Sequence, residues 1–176
     1  TYPTTAIYGI YQYNSGSNNL ISDIRLNDFR INTSDATSTR NIGIYLRADN
    51  TDGIVEKTRI TNFSNEATNA PTDYGIYSLG VSSSWTIKNN VIIMDNESIL
   101  NSLKLIGLRN SATGDANVYH NTIKISGAVS AGTDYSVCYL DDATAGVSRI
   151  AKNNIFYNNR SGGTGTHYGI WNINDS

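Results

Sequence analysis

Ile42-Gly-Ile-Tyr45 decides how this chain is read, because close variants of it return along the whole sequence. The other copies are Tyr8-Gly-Ile-Tyr11, Tyr74-Gly-Ile-Tyr77, Ile106-Gly-Leu-Arg109, Tyr135-Ser-Val-Cys138 and Tyr168-Gly-Ile-Trp171. The glycine position falls at Gly9, Gly43, Gly75, Gly107, Ser136 and Gly169, at spacings of 34, 32, 32, 29 and 33 residues. A nearly constant period of this length marks a repeat architecture, in which one supersecondary unit is copied and stacked. A second element lies between each pair of copies and reads apolar, polar, Asn, apolar. It appears as Leu26-Asn-Asp-Phe29, Ile60-Thr-Asn-Phe63, Ile87-Lys-Asn-Asn-Val91, Val118-Tyr-His-Asn-Thr-Ile123 and Ile150-Ala-Lys-Asn-Asn-Ile155. An Asn thus recurs at Asn27, Asn62, Asn90, Asn121 and Asn154.

Each repeat reads as strand, loop, strand, Asn turn, strand, loop. No segment sustains a 3.6-residue apolar period, so no helix of ordinary length is expected. Residues 97–108 come closest, and the end of that stretch reads as a strand because it carries the fourth copy of the glycine element. A unit of this size cannot bury its own apolar face. Stacked units can, by pairing each strand with its counterpart about 4.8 Å away in the next repeat. Like then lies on like. Ile10, Ile44, Ile76, Leu108, Val137 and Ile170 form an aliphatic ladder expected to point inward. Strand alternation puts the next residue on the opposite face, giving an outward stripe of Tyr11, Tyr45, Tyr77, Arg109, Cys138 and Trp171. The glycine two residues earlier is expected on that same outer face, leaving open space beside each ring. The recurring Asn is expected in the left-handed conformation at the bend, with its amide bonded to the Asn of the neighbouring coil.

Composition supports many short strands. Of 176 residues only 39% are hydrophobic and 16% charged, yet 12 are Tyr and the net charge is -2. Disordered chains usually combine low hydrophobicity with high net charge and few aromatics. A pI near 5.6 and scattered basic residues leave no electrostatic footprint for nucleic acid. No apolar run approaches the length of a membrane span. Cys138, alone within an apolar run, reads as a small core residue.

The recurring G-I-Y strand and the turns Ile87-Lys-Asn-Asn-Val-Ile92 and Ala151-Lys-Asn-Asn-Ile-Phe156 resemble the right-handed parallel β-helix proteins of the pectin-lyase-like type. The resemblance spans nearly the whole chain. It implies an all-β right-handed parallel β-helix of about five or six coils, each of roughly 32 residues, as one domain over residues 1–176. The excess over the family's shorter coil lies in polar loops such as 32–41, 64–73 and 158–167. A β-propeller is the rival architecture. Neither end carries a cap, so the chain is expected to be a segment of a longer one, or to self-associate through its coil ends.

Such folds carry lyases, hydrolases, adhesins and tailspikes alike, so activity must be sought in the residues. Of the family's polygalacturonase motifs, N-T-D, D-D, G-H-G and R-I-K, only the D-D pair is matched, by Asp141-Asp142; Arg149-Ile-Ala-Lys152 only approximates the last. His120 and His167 stand outside any G-H-G and read as turn or surface residues. A lyase of this type needs clustered carboxylates for Ca²⁺ and a base. Asp49 and Asp52 lie two to three coils from Asp141 and Asp142, and Asp73 lies two coils from Asp134, so Ca²⁺ is unsupported and no cofactor is expected. No catalytic residue is assigned. Gly162-Gly-Thr-Gly165 neither follows a long strand nor opens a helix, so it reads as a turn and not a phosphate loop.

The stripe of Tyr11, Tyr45, Tyr77, Arg109 and Trp171 is the sharper candidate, since regularly spaced exposed aromatic rings suit the apolar faces of sugars. The expected function is a non-catalytic extracellular or cell-surface module, serving as an adhesin stalk or as a surface for polysaccharide or cell-surface glycan, in an exported bacterial protein. The alternatives are a carbohydrate-active lyase or hydrolase and a structural repeat of a surface filament.

Overall fold

A computed structural model describes residues 6–13, 16–31, 40–47, 49–65, 72–80, 83–95, 103–129, 135–143 and 148–173. Among them the chain forms strands and no helix. Three parallel sheets carry the stack. The first holds six strands in chain order: Ala6–Gln12, Arg40–Leu46, Thr72–Ser78, Lys104–Asn110, Ser136–Asp141 and His167–Asn172. The second holds Leu20–Ser22, Gly53–Glu56, Trp85–Lys88, Ala116–Tyr119 and Arg149–Lys152. The third holds Arg25–Ile31, Arg59–Asn65, Val91–Asp95, Thr122–Ser126 and Ile155–Asn158. Every strand of these sheets pairs in parallel with its counterpart one repeat away, and none pairs within its own repeat. That pattern is a parallel β-solenoid; a propeller blade would pair its strands with one another. The polar loops 32–41 and 64–73 fall largely outside the described residues, as do 97–102, and Lys104–Asn110 is the strand read at the end of 97–108.

In-register stacking puts each inward column on itself. Ile44, Ile76 and Leu108 from the first sheet, Val55, Ile87 and Val118 from the second, and Ile60, Ile92 and Ile123 from the third all sit in one core cluster. Burying each such side chain contributes about 1.5–3 kcal/mol, and the columns repeat it coil after coil. Size is balanced between neighbours as well. Trp85 stacks between Gly53 and Ala116, and a Cβ on Gly53 would stand 2.6 Å from the Trp85 ring carbon Cε3.

The glycine of the repeat faces this core, contrary to the expectation of open space outside. Ladder pairing skips it, running Tyr8↔Ile42 and then Ile10↔Ile44. A Cβ on Gly43 would lie 2.5 Å from the Gly75 carbonyl oxygen and 2.8 Å from Ile60 Cγ2. The strand bends there, so the glycine and the aliphatic residue after it both point inward, as at a bulge. Period-two alternation therefore fails at this position.

The fifth copy of the element is also shifted by two residues. Leu108 pairs with Tyr139, not Val137, and Arg109 pairs with Leu140. Cys138 thus occupies the glycine position and lies inside the core, fully buried. The inward ladder is Ile10, Ile44, Ile76, Leu108, Tyr139, Ile170, and Val137 belongs to the outer face.

The Asn ladder is real but shorter than the recurrence suggested. Asn90 donates its backbone N–H and its Nδ2–H to Asn121 Oδ1, each at 3.0 Å, and Asn121 does the same to Asn154 Oδ1 at 2.9 and 3.0 Å. Each amide also donates back to a strand carbonyl, of Val55, Ile87 or Val118. Thr58 takes the ladder position one coil earlier, where its N–H reaches Asn90 Oδ1 at 3.0 Å. The left-handed residue is the one before the ladder position: Asp23, Lys57, Asn89, His120 and Asn153, with φ of 51–57°. His120 is therefore an exposed turn residue. Asn27 and Asn62 lie elsewhere, on strands of the third sheet; there Asn62 is itself left-handed, with φ of 61°, and its Nδ2 donates to Asn27 Oδ1 of the neighbouring coil at 2.8 Å, as expected of the recurring Asn.

Candidate functional site

Outside the first sheet, two columns of side chains run along the stack. One is Tyr8, Ile42, Tyr74, Ile106, Val137 and Tyr168; the other is Tyr11, Tyr45, Tyr77, Arg109, Leu140 and Trp171. They form a hydrophobic cluster separate from the core. All five proposed ligand-binding residues, Tyr11, Tyr45, Tyr77, Arg109 and Trp171, are in that row as expected from the repeat; the remaining member is Leu140 in place of Cys138.

The rings stack along the row. Tyr11 and Tyr45 are 5.3 Å apart with nearly parallel rings, Tyr45 and Tyr77 are 5.1 Å apart, and Tyr74 and Tyr77 4.7 Å. Such pairs add about 0.5–1.5 kcal/mol beyond simple burial. Exposure is uneven. Tyr45 and Tyr77 are only 8% and 7% exposed, which overturns the expectation of an open stripe at those two positions. Their burial raises the phenol pKa, for Tyr45 to about 12, with the neighbouring tyrosine adding to it in each case. Arg109 and Trp171 are half-buried. A residue's column sets its direction, but what lies over the column sets its exposure, and the repeat carries no record of that.

Arg109 is fully engaged. Its guanidinium meets the Asp142 carboxylate through Nε at 3.1 Å and through Nη2, donates to the Tyr74 hydroxyl at 3.2 Å, and sits 4.8 Å from the Tyr77 ring centroid. Ser111 donates its hydroxyl to the same carboxylate. This replaces one ring of the stack by an ion pair lying on two rings.

The open part of the face is at Tyr8, Tyr11 and Tyr13, which are 40%, 43% and 63% exposed. Tyr8 and Tyr11 stack at 5.0 Å, and Tyr13 tilts against Tyr11 at 5.8 Å. Arg47 closes the group. Its backbone N–H donates to the Gln12 carbonyl at 3.0 Å, tying it to the end of the neighbouring strand. Its Nη1 donates to the Tyr11 hydroxyl at 3.2 Å, and its guanidinium carbon stands 5.8 Å from the Tyr13 ring centroid. The bond from Arg47 to Tyr11 and the tyrosines around it hold the Arg47 pKa up. The result is an exposed platform of three phenol rings edged by one guanidinium.

Asp141 and Asp142, the one acidic pair singled out from the sequence, do not act together. Successive strand residues point to opposite faces. Asp142 goes out to Arg109, and Asp141 goes in. Asp141 is buried, 3.3 Å from Arg149 Nε, and accepts the Tyr139 hydroxyl at 3.2 Å. Burial raises its pKa, against the pull of Arg149. Tyr139, Asp141 and Arg149 line a cavity of about 210 Å³ with Ala151, Ile170 and Asn172. Asp73 is buried at the opposite corner of the coil. It accepts from Asn41 N–H and Asn65 Nδ2 at 2.8 Å and from Asn41 Nδ2 at 3.2 Å, and burial pushes its pKa up to about 6. His167 Nδ1 lies 2.9 Å from the Ser136 hydroxyl. Asp134 lies outside the described residues. Cys138 packs in the core, where burial pushes the thiol up to about 12 and away from the reactive thiolate. Among the described residues no three His, Cys, Asp or Glu side chains gather where they would hold a metal ion, and no helix is long and apolar enough to cross a membrane.

No family model, curated protein or solved structure matches this chain.

Proposed function

We propose that this solenoid is a non-catalytic extracellular or cell-surface module, an adhesin or structural stalk, that binds polysaccharide on the Tyr8, Tyr11 and Tyr13 platform. The proposal includes the right-handed, pectin-lyase-like type and an exported bacterial setting. The observation that carries it is the platform itself: three exposed phenol rings, two of them on the strand Ala6–Gln12 and stacked at 5.0 Å, the third just past its end, bordered by Arg47. Flat aromatic faces take up the apolar faces of sugar rings, while phenol and guanidinium groups on their edges bond hydroxyls. The proposed ligand-binding role passes from Tyr45 and Tyr77, whose rings are covered, to Tyr8 and Tyr13 beside Tyr11. Arg109 and Trp171 remain at the far end of the same face.

A second reading, a carbohydrate-active lyase or hydrolase, draws on the cavity where Asp141 stands with raised pKa beside Tyr139 and Arg149. One experiment separates the two. The protein is run through gels containing neutral and acidic polysaccharides, and the chain length of each polymer is followed after incubation. Retardation without shortening, lost in the Tyr11→Ala/Tyr13→Ala double variant at an unchanged unfolding midpoint, is the expected result. Shortening of a polymer, abolished by Asp141→Asn, would replace the binding module by the enzyme.

A further inference from the structure

Resting on the platform's proposed role in binding polysaccharide, we infer that its ligand is an anionic saccharide, whose carboxylate or sulfate group is taken by Arg47 while its ring lies on Tyr11 or Tyr13. The contrast with Arg109 carries the inference. Both arginines lie on the outer face of the first sheet, and both touch tyrosine rings and a tyrosine hydroxyl. Arg109 has Asp142 as its counter-ion. Among the described residues no carboxylate pairs with Arg47, and the charged or polar groups that influence it are all tyrosines, Tyr11, Tyr45 and Tyr13. Arg47 is exposed, so its charge faces solvent at the edge of the platform.

A guanidinium offers five N–H donors in a rigid fork. One donor of Arg47 is spent on Tyr11, which holds the fork in place. The rest match the two oxygens of a carboxylate or the oxygens of a sulfate. The Tyr13 face beneath is partly occupied by the cation–π contact, so the sugar ring stacks on the uncovered area of Tyr13 and on Tyr11. Lys104, whose ammonium stands 5.2 Å from the Tyr135 ring centroid, adds a second cation on the same sheet. The aromatic face is thus bordered by positive charge although the whole chain carries -2, which steers anions to this face.

Affinity electrophoresis of the intact chain tests this, with a polyuronate, a sulfated dextran and unmodified dextran as probes. The expected result is stronger retardation by one or both anionic polymers than by dextran, weakening as salt is raised. Arg47→Gln then weakens retention by the anionic polymer about tenfold, the loss of one charge-assisted contact, and weakens retention by dextran far less. Lys152→Gln, which removes an exposed cation on the second sheet, changes neither. Which anionic polymer responds tells carboxylate from sulfate. Equal retention of charged and neutral polymers, or an Arg47→Gln variant that binds like the parent, overturns the anion inference and leaves the binding platform standing. Retention by none of the three overturns both. Loss of anion binding in Lys152→Gln equal to that in Arg47→Gln also overturns the inference, as nonspecific charge attraction.

Discussion

Tyr11 and Tyr77 occupy the same column of the same sheet, two repeats apart, yet one is 43% exposed and the other 7%. At Tyr77 the ring is packed by Tyr45, Tyr74 and the Arg109–Asp142 pair, and contributes to stability. At Tyr11 the ring touches Tyr8, Tyr45 and Tyr13, yet nearly half of the residue stays open to solvent. One repeated residue thus serves two purposes. In a solenoid the direction of a side chain is inherited from the repeat, whereas its surroundings are local.

The largest effect that separates the two regions is in stability. Tyr77→Ala removes a buried aromatic and is expected to lower the unfolding free energy by about 3–5 kcal/mol, read from the urea midpoint. Tyr11→Ala is expected to cost less, about 1–2 kcal/mol, as for a partly exposed side chain whose ring contacts lie at the surface. Equal losses would erase the distinction. Next in size is the ion pair that joins the buried rings. Asp142→Ala leaves a half-buried Arg109 without its carboxylate and is expected to cost about 2 kcal/mol, whereas Arg47→Gln at the open end leaves the midpoint unchanged.

The buried carboxyl at the corner of the same sheet gives a pH effect of smaller size. Asp73 has a folded pKa of about 6, above the ordinary aspartate value of 3.8, because burial disfavours its charged form. A carboxyl whose pKa is raised on folding binds its proton more tightly when folded. Its contribution favours folding most below pH 4, declines as pH rises through about 6, and is flat above. Asp141 is shifted in the same direction. Unfolding midpoints measured across that window should fall with rising pH, and Asp73→Asn should flatten the part of the slope due to this group. The smallest effect is spectroscopic. Tyr45 should ionise near pH 12 in an absorbance titration, later than an ordinary phenol, and Tyr45→Phe should reduce the amplitude of the late step, to which Tyr77 also contributes.

Much of the architecture was legible in the residues because stacking makes like pair with like. The three strands per repeat, the inward aliphatic ladder outside the fifth copy and the outer tyrosine row follow from the period, whereas the burial of Cys138 was signalled by its apolar surroundings and not by the period, which put it outside. The fifth copy misled because Tyr135-Ser-Val-Cys138 imitates the local motif, while ladder pairing sets Cys138 opposite Gly107 and Gly169. Spacing held the signal. Gly107, Cys138 and Gly169 are 31 residues apart in each step, more even than the 29 and 33 obtained through Ser136. The inward glycine was hidden by strict alternation, which a bend at that residue interrupts. The Asn ladder was overextended because Asn27 and Asn62 match the pattern of residue types but lie on strands. Arg47 escaped notice since it lies just beyond the repeated element, and that no carboxylate among the described residues pairs with it is a property of space. The same holds for the burial of Tyr45 and Tyr77.

Mass-spectrometric mapping of tyrosine nitration, with and without the polymer that retards the protein, tests the central division of this face most directly. The account predicts that Tyr8, Tyr11 and Tyr13 are nitrated in the free protein, that Tyr45, Tyr74 and Tyr77 resist until it unfolds, and that bound polymer suppresses reaction at the first three. Nitration of Tyr77 as fast as Tyr11, or reaction at Tyr8, Tyr11 and Tyr13 undiminished by bound polymer, would contradict it.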